Sequence, residues 1–271
     1  YDVAIIDEAS QVIIPNAIGT IRLAKKFILV GDHKQLPPVI QSEQAKDLSN
    51  TLFEELYKND SACESTKVML DIQHRMPEQI SNFISNEFYN NQLNTFKSDS
   101  ISVIDLKDTN SEYASILQSK KAIELLDVKS SNNNKNQSNQ EAVKIKEILK
   151  TLLTSGIDHS RIGVIAPFRA QVAEIRRNIE LELMEYFDDK ASIKNIVDTV
   201  DRFQGDERDV ILFSLTIGES EIPKLLQDKR RLNVAISRAK MKFIAIGDWD
   251  KALQSETLSN LKKYYDSLGD K

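Results

Sequence analysis

The chain has 271 residues, with 36 Lys and Arg against 41 Asp and Glu, and its formal charge of −5 argues against a non-specific nucleic-acid coat without excluding a local basic groove. Hydrophobic residues make up 41% and charged residues 28%, the usage of a folded globular chain and not of a disordered one. The single cysteine, Cys63, rules out an internal disulfide framework or a Cys-rich zinc site, no apolar run approaches the length of a membrane span, and nothing at the N-terminus resembles a signal peptide. Short apolar runs then alternate with helical stretches along the chain. Tyr1–Ile6 is an apolar run ending in Asp7-Glu8, and Phe27–Val30 is another ending in Gly31-Asp32. A helix-like stretch covers 48–57, and the polar stretch 61–67 suits a domain boundary. Val68–Ile72 and Ile101–Leu106 are the next strand candidates, with a helix between them over 77–89 that carries Ile80, Phe83, Ile84 and Phe88 at helical spacing. The Asn- and Ser-rich stretch 127–140 has little to bury and is expected to be a solvated loop. Ser138 and Glu141 suit a capping box ahead of Val143, Ile145, Ile148, Leu149 and Leu152. Ile162–Ala166, a helix over 169–187, Ile196–Val200, Val210–Leu215 and Phe243–Ile246 complete the series. Runs of four to six apolar residues without alternation indicate strands buried on both faces. The fold class expected is therefore α/β, with largely parallel sheets flanked by helices.

In such sheets ligands bind beyond the carboxyl ends of the strands, so the residues that follow each strand carry the functional reading. The first strand runs into Asp7-Glu8-Ala9-Ser10-Gln11. Nucleotide hydrolases use this arrangement, one carboxylate for Mg²⁺ and the next for the attacking water, although an isolated Asp-Glu pair is more often a solvated strand end. The second runs into Gly31-Asp32-His33-Lys34-Gln35-Leu36-Pro37-Pro38, in which Gln35 at a tight turn can reach a terminal phosphate or its water. Gln73-His74-Arg75-Met76 places a cation just before a helix. Two further stretches follow, Thr199-Val200-Asp201-Arg202-Phe203-Gln204-Gly205-Asp206-Glu207 and Arg230-Arg231-Leu232-Asn233-Val234-Ala235-Ile236-Ser237-Arg238-Ala239. Phosphoryl transfer needs cations on the developing charge, and arginines from a second domain can supply them. Singly, each of these arginines suits a surface ion pair. Phe168 and Phe203 suit either base stacking or core packing, the second being commoner for Phe.

The ordered set DEASQ, GDHKQLPP, QHRM, TVDRFQGDE and RRLNVAISRA strongly resembles motifs II to VI of superfamily 1 helicases. The nearest branch is that of the RNA helicase of nonsense-mediated decay, senataxin and the immunoglobulin mu-binding protein. The resemblance implies P-loop NTPase architecture, with residues 1–65 the C-terminal part of a first RecA-like domain, 66–254 a second, and 255–271 a tail helix. It implies ATP and Mg²⁺ as cofactors, with Asp7 holding Mg²⁺ through water and Glu8 as catalytic base. Gln35 would sense the γ-phosphate, and Arg75 and Arg238 would act as arginine fingers. Gly205 would lie against the γ-phosphate, with Gln204 beside it, and Glu207 would bind the ribose. Thr199, Pro167 and Phe168 look like contacts to single-stranded DNA or RNA. A monomeric motor inside the cell, in cytoplasm or nucleus, with no membrane partner and no secretion, is implied as well.

Motif I is missing. None of the eight glycines is followed by Lys-Ser or Lys-Thr, so the loop that cradles the β- and γ-phosphates does not occur in this chain. The chain also opens at Tyr1 within an apparent strand, as expected of a piece of something longer. The piece alone is expected to be inactive, and three readings stay open for the parent. One is an ATP-driven helicase or translocase. Another is a nucleic-acid-stimulated ATPase that remodels protein–nucleic-acid complexes, and the third is a degenerate helicase-like module that binds protein.

Overall fold

The computed structural model describes residues 1–40, 49–59, 66–96, 103–107, 111–129, 136–218 and 222–269. They form two compact units, Tyr1–Leu70 and Asp71–Lys271.

In the first unit, β1 (Val3–Ile6) and β2 (Lys26–Leu29) pair in parallel, Val3 opposite Lys26 and Ile6 opposite Leu29. The connection holds α1 (Ile14–Ile21), with Pro15 in the first turn, where a missing N–H leaves no bond unmade. Thr51 caps α2 (Leu52–Lys58) by accepting the Glu54 amide at 3.1 Å. Part of the stretch 61–67 lies outside the described residues, as do Cys63 and the start of the helix expected from residue 48. Strands expected to be buried on both faces are not: Val3, Ile5, Phe27 and Ile28 are exposed. Each strand has a single neighbour in this two-stranded sheet, too little to cover apolar side chains on both faces.

The second unit is built on a five-stranded, all-parallel sheet in the order β5-β9-β8-β6-β7. The expected apolar runs provide β6 (Ile162–Ala166), β7 (Val197–Thr199), β8 (Arg208–Ser214) and β9 (Ala239–Gly247). Two expectations fail here. Val68–Ile72 contributes only Ile72 to a two-residue strand, β3 (Ile72–Gln73), which pairs with β4 (Asn94–Thr95), while Val68 and Leu70 are exposed. Residues 103–106 of the other candidate are not a strand, and 101–102 lie outside the described residues. The edge strand is instead β5 (Ile123–Asp127), and Asp127, expected in the solvated loop, is its last residue. Its alternation of Glu124 with apolar neighbours lacks the run of branched residues that marks the interior strands.

Both faces of this sheet are covered. Ile145, Ile148, Leu149 and Leu152 of α5 (Asn139–Thr154) join Val172, Ile175 and Ile179 of α6 (Arg169–Glu182) in one cluster with Val164, Leu212 and Ile244. Ile211, Phe213 and Phe243 alternate with these in sequence and are buried as fully. Phe203 belongs to this core at 2% exposure, which decides for packing over stacking. Around the sheet lie α3 (Glu78–Phe88), α4 (Ala114–Leu117), α7 (Lys190–Ile196), α8 (Val200–Phe203), α9 (Lys229–Ile236), α10 (Trp249–Ala252) and α11 (Glu256–Ser267). α11, in the segment expected as a tail, is docked: Tyr264 donates to the Gln79 carbonyl at 2.9 Å and Tyr265 to Glu124 at 3.1 Å.

Candidate functional site

In the first unit two strand-end loops lie against one another. Asp7 Oδ1 accepts the Glu8 amide at 2.8 Å, and Glu8 takes a left-handed backbone (φ 50°) before the turn 9–11. A left-handed glutamate is uncommon, and strain of this kind collects at functional sites. Gln11 steadies the Glu8 carboxylate at 2.9 Å. The Ala9 amide donates to Val30 at 2.8 Å and the Asp32 amide to Ser10 Oγ at 3.3 Å, tying this loop to the one after β2. The approach is so close that a Cβ on Gly31 would stand 2.8 Å from the Ser10 nitrogen. Within the second loop the Asp32 carboxylate accepts the Lys34 amide at 2.8 Å and Gln35 Nε2 at 2.9 Å. Asp7 and Glu8 are exposed, and Gln35 is half-buried.

In the second unit the expected residues divide between opposite ends of the sheet. Before the amino ends of β8 and β9, Arg75 Nε donates to Glu207 at 2.7 Å and its NH1 reaches the Ser237 carbonyl at 3.4 Å. The Arg75 guanidinium holds the Glu207 carboxyl below the usual range against the pull of desolvation, helped by the charges of Lys240 and Arg238. Both partners are a third or more exposed, so the pair contributes on the order of 0–1 kcal/mol to stability and is exchangeable. Arg238 is 2% exposed, and its guanidinium is engaged by the Val234 carbonyl at 3.0 Å, the Asp206 carbonyl at 3.2 Å and Ser237 Oγ at 3.0 Å. Gly205 has φ 87°, a conformation that favours glycine, and faces open space. Gln204 beside it keeps a buried side-chain nitrogen without a hydrogen-bond partner.

Thr199, Pro167 and Phe168 lie elsewhere, at the carboxyl ends of β7 and β6, each half-buried. Sequence reasoning that looked only beyond carboxyl ends does not anticipate this division, because residues 205–207 and 238 precede their strands. It also gave no role to Gln73. That side chain accepts the Arg75 amide at 2.9 Å and the Met76 amide at 2.7 Å, and it donates to the Met76 carbonyl at 2.9 Å, folding the turn that presents Arg75. A polar residue ending a strand two positions before the candidate cation was the available signal.

The donor sets suit a magnesium nucleotide. Mg²⁺ is usually held by one or two carboxylates together with waters and substrate phosphates, and Asp7 with its neighbour Glu8 offers that chemistry. Among the described residues no cluster of three or more His, Cys, Asp or Glu side chains is placed to hold a metal by itself. On the second unit, the unsatisfied Gln204 nitrogen, the open space at Gly205 and the Glu207 carboxylate provide a donor and acceptors of the kind a nucleotide requires. Among the described residues no helix is long and apolar enough to cross a membrane.

Two AAA-domain family profiles match the chain, one over residues 48–250 and the other over 1–43. The chain is 34% identical over 286 aligned residues to the DNA replication ATP-dependent helicase/nuclease dna2 of Schizosaccharomyces pombe, covering 97% of this chain and 20% of that protein. It is 35% identical over 276 residues to an uncharacterised ATP-dependent helicase of Methanocaldococcus jannaschii, covering 99% and 39%. It is 34% identical over 261 residues to the helicase sen1 of S. pombe, covering 92% and 15%. The chain thus spans between about one seventh and two fifths of the length of these relatives.

Proposed function

The chain belongs to the superfamily 1 helicases, in the branch of the nonsense-mediated-decay RNA helicase and senataxin, and on that premise we propose that it is part of the motor core of an ATP-dependent helicase or translocase acting on single-stranded DNA or RNA. Residues 1–65 then supply the C-terminal part of one RecA-like domain and 66–254 a second, with α11 packed on it.

The observation that carries this reading is the stretch before the amino ends of β8 and β9, where Arg75 pairs with Glu207, Arg238 holds the Asp206 carbonyl, and the left-handed Gly205 faces open space beside the unsatisfied Gln204 amide. Cations, a carboxylate and an orphaned amide placed together suit a polyphosphate with an attached sugar. When bound, Mg-ATP supplies a γ-phosphoryl group open to attack by water. Asp7 is assigned to the metal's water shell, and Glu8, held by Gln11, to orienting the attacking water and taking its proton at the carboxylate. Gln35, fixed by Asp32, reports the terminal phosphate to the rest of the motor. Arg75 leaves Glu207 to meet charge on the transferring group, which frees the Glu207 carboxylate for the ribose hydroxyls. Arg238 holds the backbone beside Glu207 through the Asp206 carbonyl and is assigned to the charge that develops on the phosphoryl group. We place the motor inside the cell and treat it as monomeric.

Without a phosphate-cradling loop, the 271-residue chain by itself should bind ATP weakly and hydrolyse it negligibly. In the full-length protein that carries it, Glu8→Gln should abolish hydrolysis while ATP binding survives. Unchanged kcat in that variant, or clear Mg²⁺-dependent turnover by the isolated chain, would overturn these assignments. A strand-separation assay beside the ATPase assay distinguishes a helicase from an ATPase that only remodels complexes.

A further inference from the structure

Two helices of the second unit are joined at their first turns. Ser138 is the N-cap of α5, and its hydroxyl accepts the Glu141 amide at 3.3 Å, the first half of the expected capping box. The second half is absent, because the Glu141 side chain does not return to its own cap. It crosses instead to the end of β8 and the chain just after it, where its carboxylate accepts Ser214 Oγ at 2.6 Å and the Thr216 amide at 2.7 Å. Thr216 takes a left-handed backbone (φ 54°), which turns its amide toward the carboxylate. The Ser138 amide is left for another helix. Gln171, in the first turn of α6, accepts it at 2.7 Å, donates to the Ser138 carbonyl at 3.0 Å and donates to Ser214 Oγ at 3.1 Å. Glu141, Gln171 and Ser214 are all 0% exposed.

An enclosed carboxylate is an expensive way to hold three segments together, since apolar replacements of buried charged groups are often neutral or stabilising. What it gives in return is a fixed geometry. The segments joined are the start of α5, the start of α6 and the loop after β8, all at the carboxyl end of the sheet. Phe168, the N-cap of α6, has no side-chain capping bond and stands three residues before Gln171. Pro167 and Phe168 therefore take their placement from a helix whose first turn is fastened through Gln171 to Glu141. The nucleotide cluster lies at the opposite, amino end.

We propose that Glu141, through Ser214 and Gln171, is a positioning residue for the nucleic-acid-facing segment at Pro167–Phe168, controlling how the motor responds to single strands without touching the nucleotide. This rests on the helicase reading above. The test uses the full-length protein with oligo(dT) and oligo(U) as probes, measuring ATP hydrolysis against oligonucleotide concentration for wild type, Glu141→Gln and Gln171→Ala. The expected result is a roughly 3- to 30-fold rise in the half-maximal oligonucleotide concentration in both variants, with unstimulated kcat and the KM for ATP unchanged. Equal half-maximal concentrations in variant and wild type would overturn the positioning role. So would a parallel fall of stimulated and unstimulated rates, which marks general loss of structure. Should Glu141→Gln fail to fold, Ser214→Ala removes a single hydroxyl from the same network and must show the same selective shift. If wild type neither hydrolyses ATP nor responds to either oligonucleotide, the helicase reading itself fails.

Discussion

Burial pushes the Glu141 carboxyl up from 4.5 to about 7, against the opposing hydrogen bonds from Ser214 and from the Thr216 amide. In the unfolded chain the same group titrates near its ordinary value. Between about pH 4.5 and 7 the native protein therefore keeps a proton that the unfolded chain has released, so raising the pH favours unfolding across this window. A shift of this size corresponds to about 3 kcal/mol, present in full at the acid end and lost by about pH 7. Carboxyls held low, such as Glu207 and Asp248, act in the opposite direction, but below the ordinary carboxylate range. Denaturant unfolding of wild type and Glu141→Gln at pH 5, 6, 7 and 8 isolates the effect as a difference of slopes. Wild type should lose stability relative to the variant by about 2–3 kcal/mol over that range, whatever the offset between the curves. Parallel curves would show that the carboxylate is ionised throughout, and would refute the account of a buried group held against its own desolvation.

Gly31→Ala places a methyl 2.8 Å from the Ser10 nitrogen and 3.3 Å from that of Ala9, forcing apart the loops that carry Glu8 and Gln35. Steady-state kinetics of the full-length protein should show kcat reduced roughly tenfold or more, since small misplacements of reacting groups are costly. Gly163→Ala, at the second residue of β6, meets Ile211 at 2.7 Å and Phe203 at 2.9 Å. It should destabilise the protein by about 1–3 kcal/mol in thermal or chemical unfolding, with m unchanged. A neutral result at Gly163 would mean that the β6–β8 contact has slack that the packing does not show.

The interior of the second unit was legible because β6, β8 and β9 carry uninterrupted apolar runs, and the stripe of Val172, Ile175 and Ile179 has a period that only a helix satisfies. The edge of the same sheet was not. β5 breaks its apolar run with Glu124, which is partnered by Tyr265 far along the chain, and no local pattern reveals such a partner. Val68 and Leu70 failed for the converse reason, since a run of apolar residues signals burial only when something covers it, and these are exposed. The candidate site residues come from motif order, which proposes a task for each group but not where it lies. That is why the division of Arg75, Glu207 and Arg238 from Thr199, Pro167 and Phe168 between two ends of one sheet appears only in three dimensions. The Ser138–Glu141 spacing illustrates the same limit. It placed the helix start correctly, yet the glutamate's side chain serves a strand more than seventy residues away in sequence.

The most direct measurement is ATP turnover by the full-length protein, with Mg²⁺ and saturating single strand, for Glu8→Gln, Arg75→Ala and the double variant. If the carboxylate and the guanidinium act on one phosphoryl group, each single change should lower kcat on the order of 10³-fold or more. The double variant should then be little worse than the worse single one, because groups that work as a unit are not additive. Multiplicative losses, or an Arg75→Ala protein that turns over like wild type, would contradict the assignment of both residues to the same ATP.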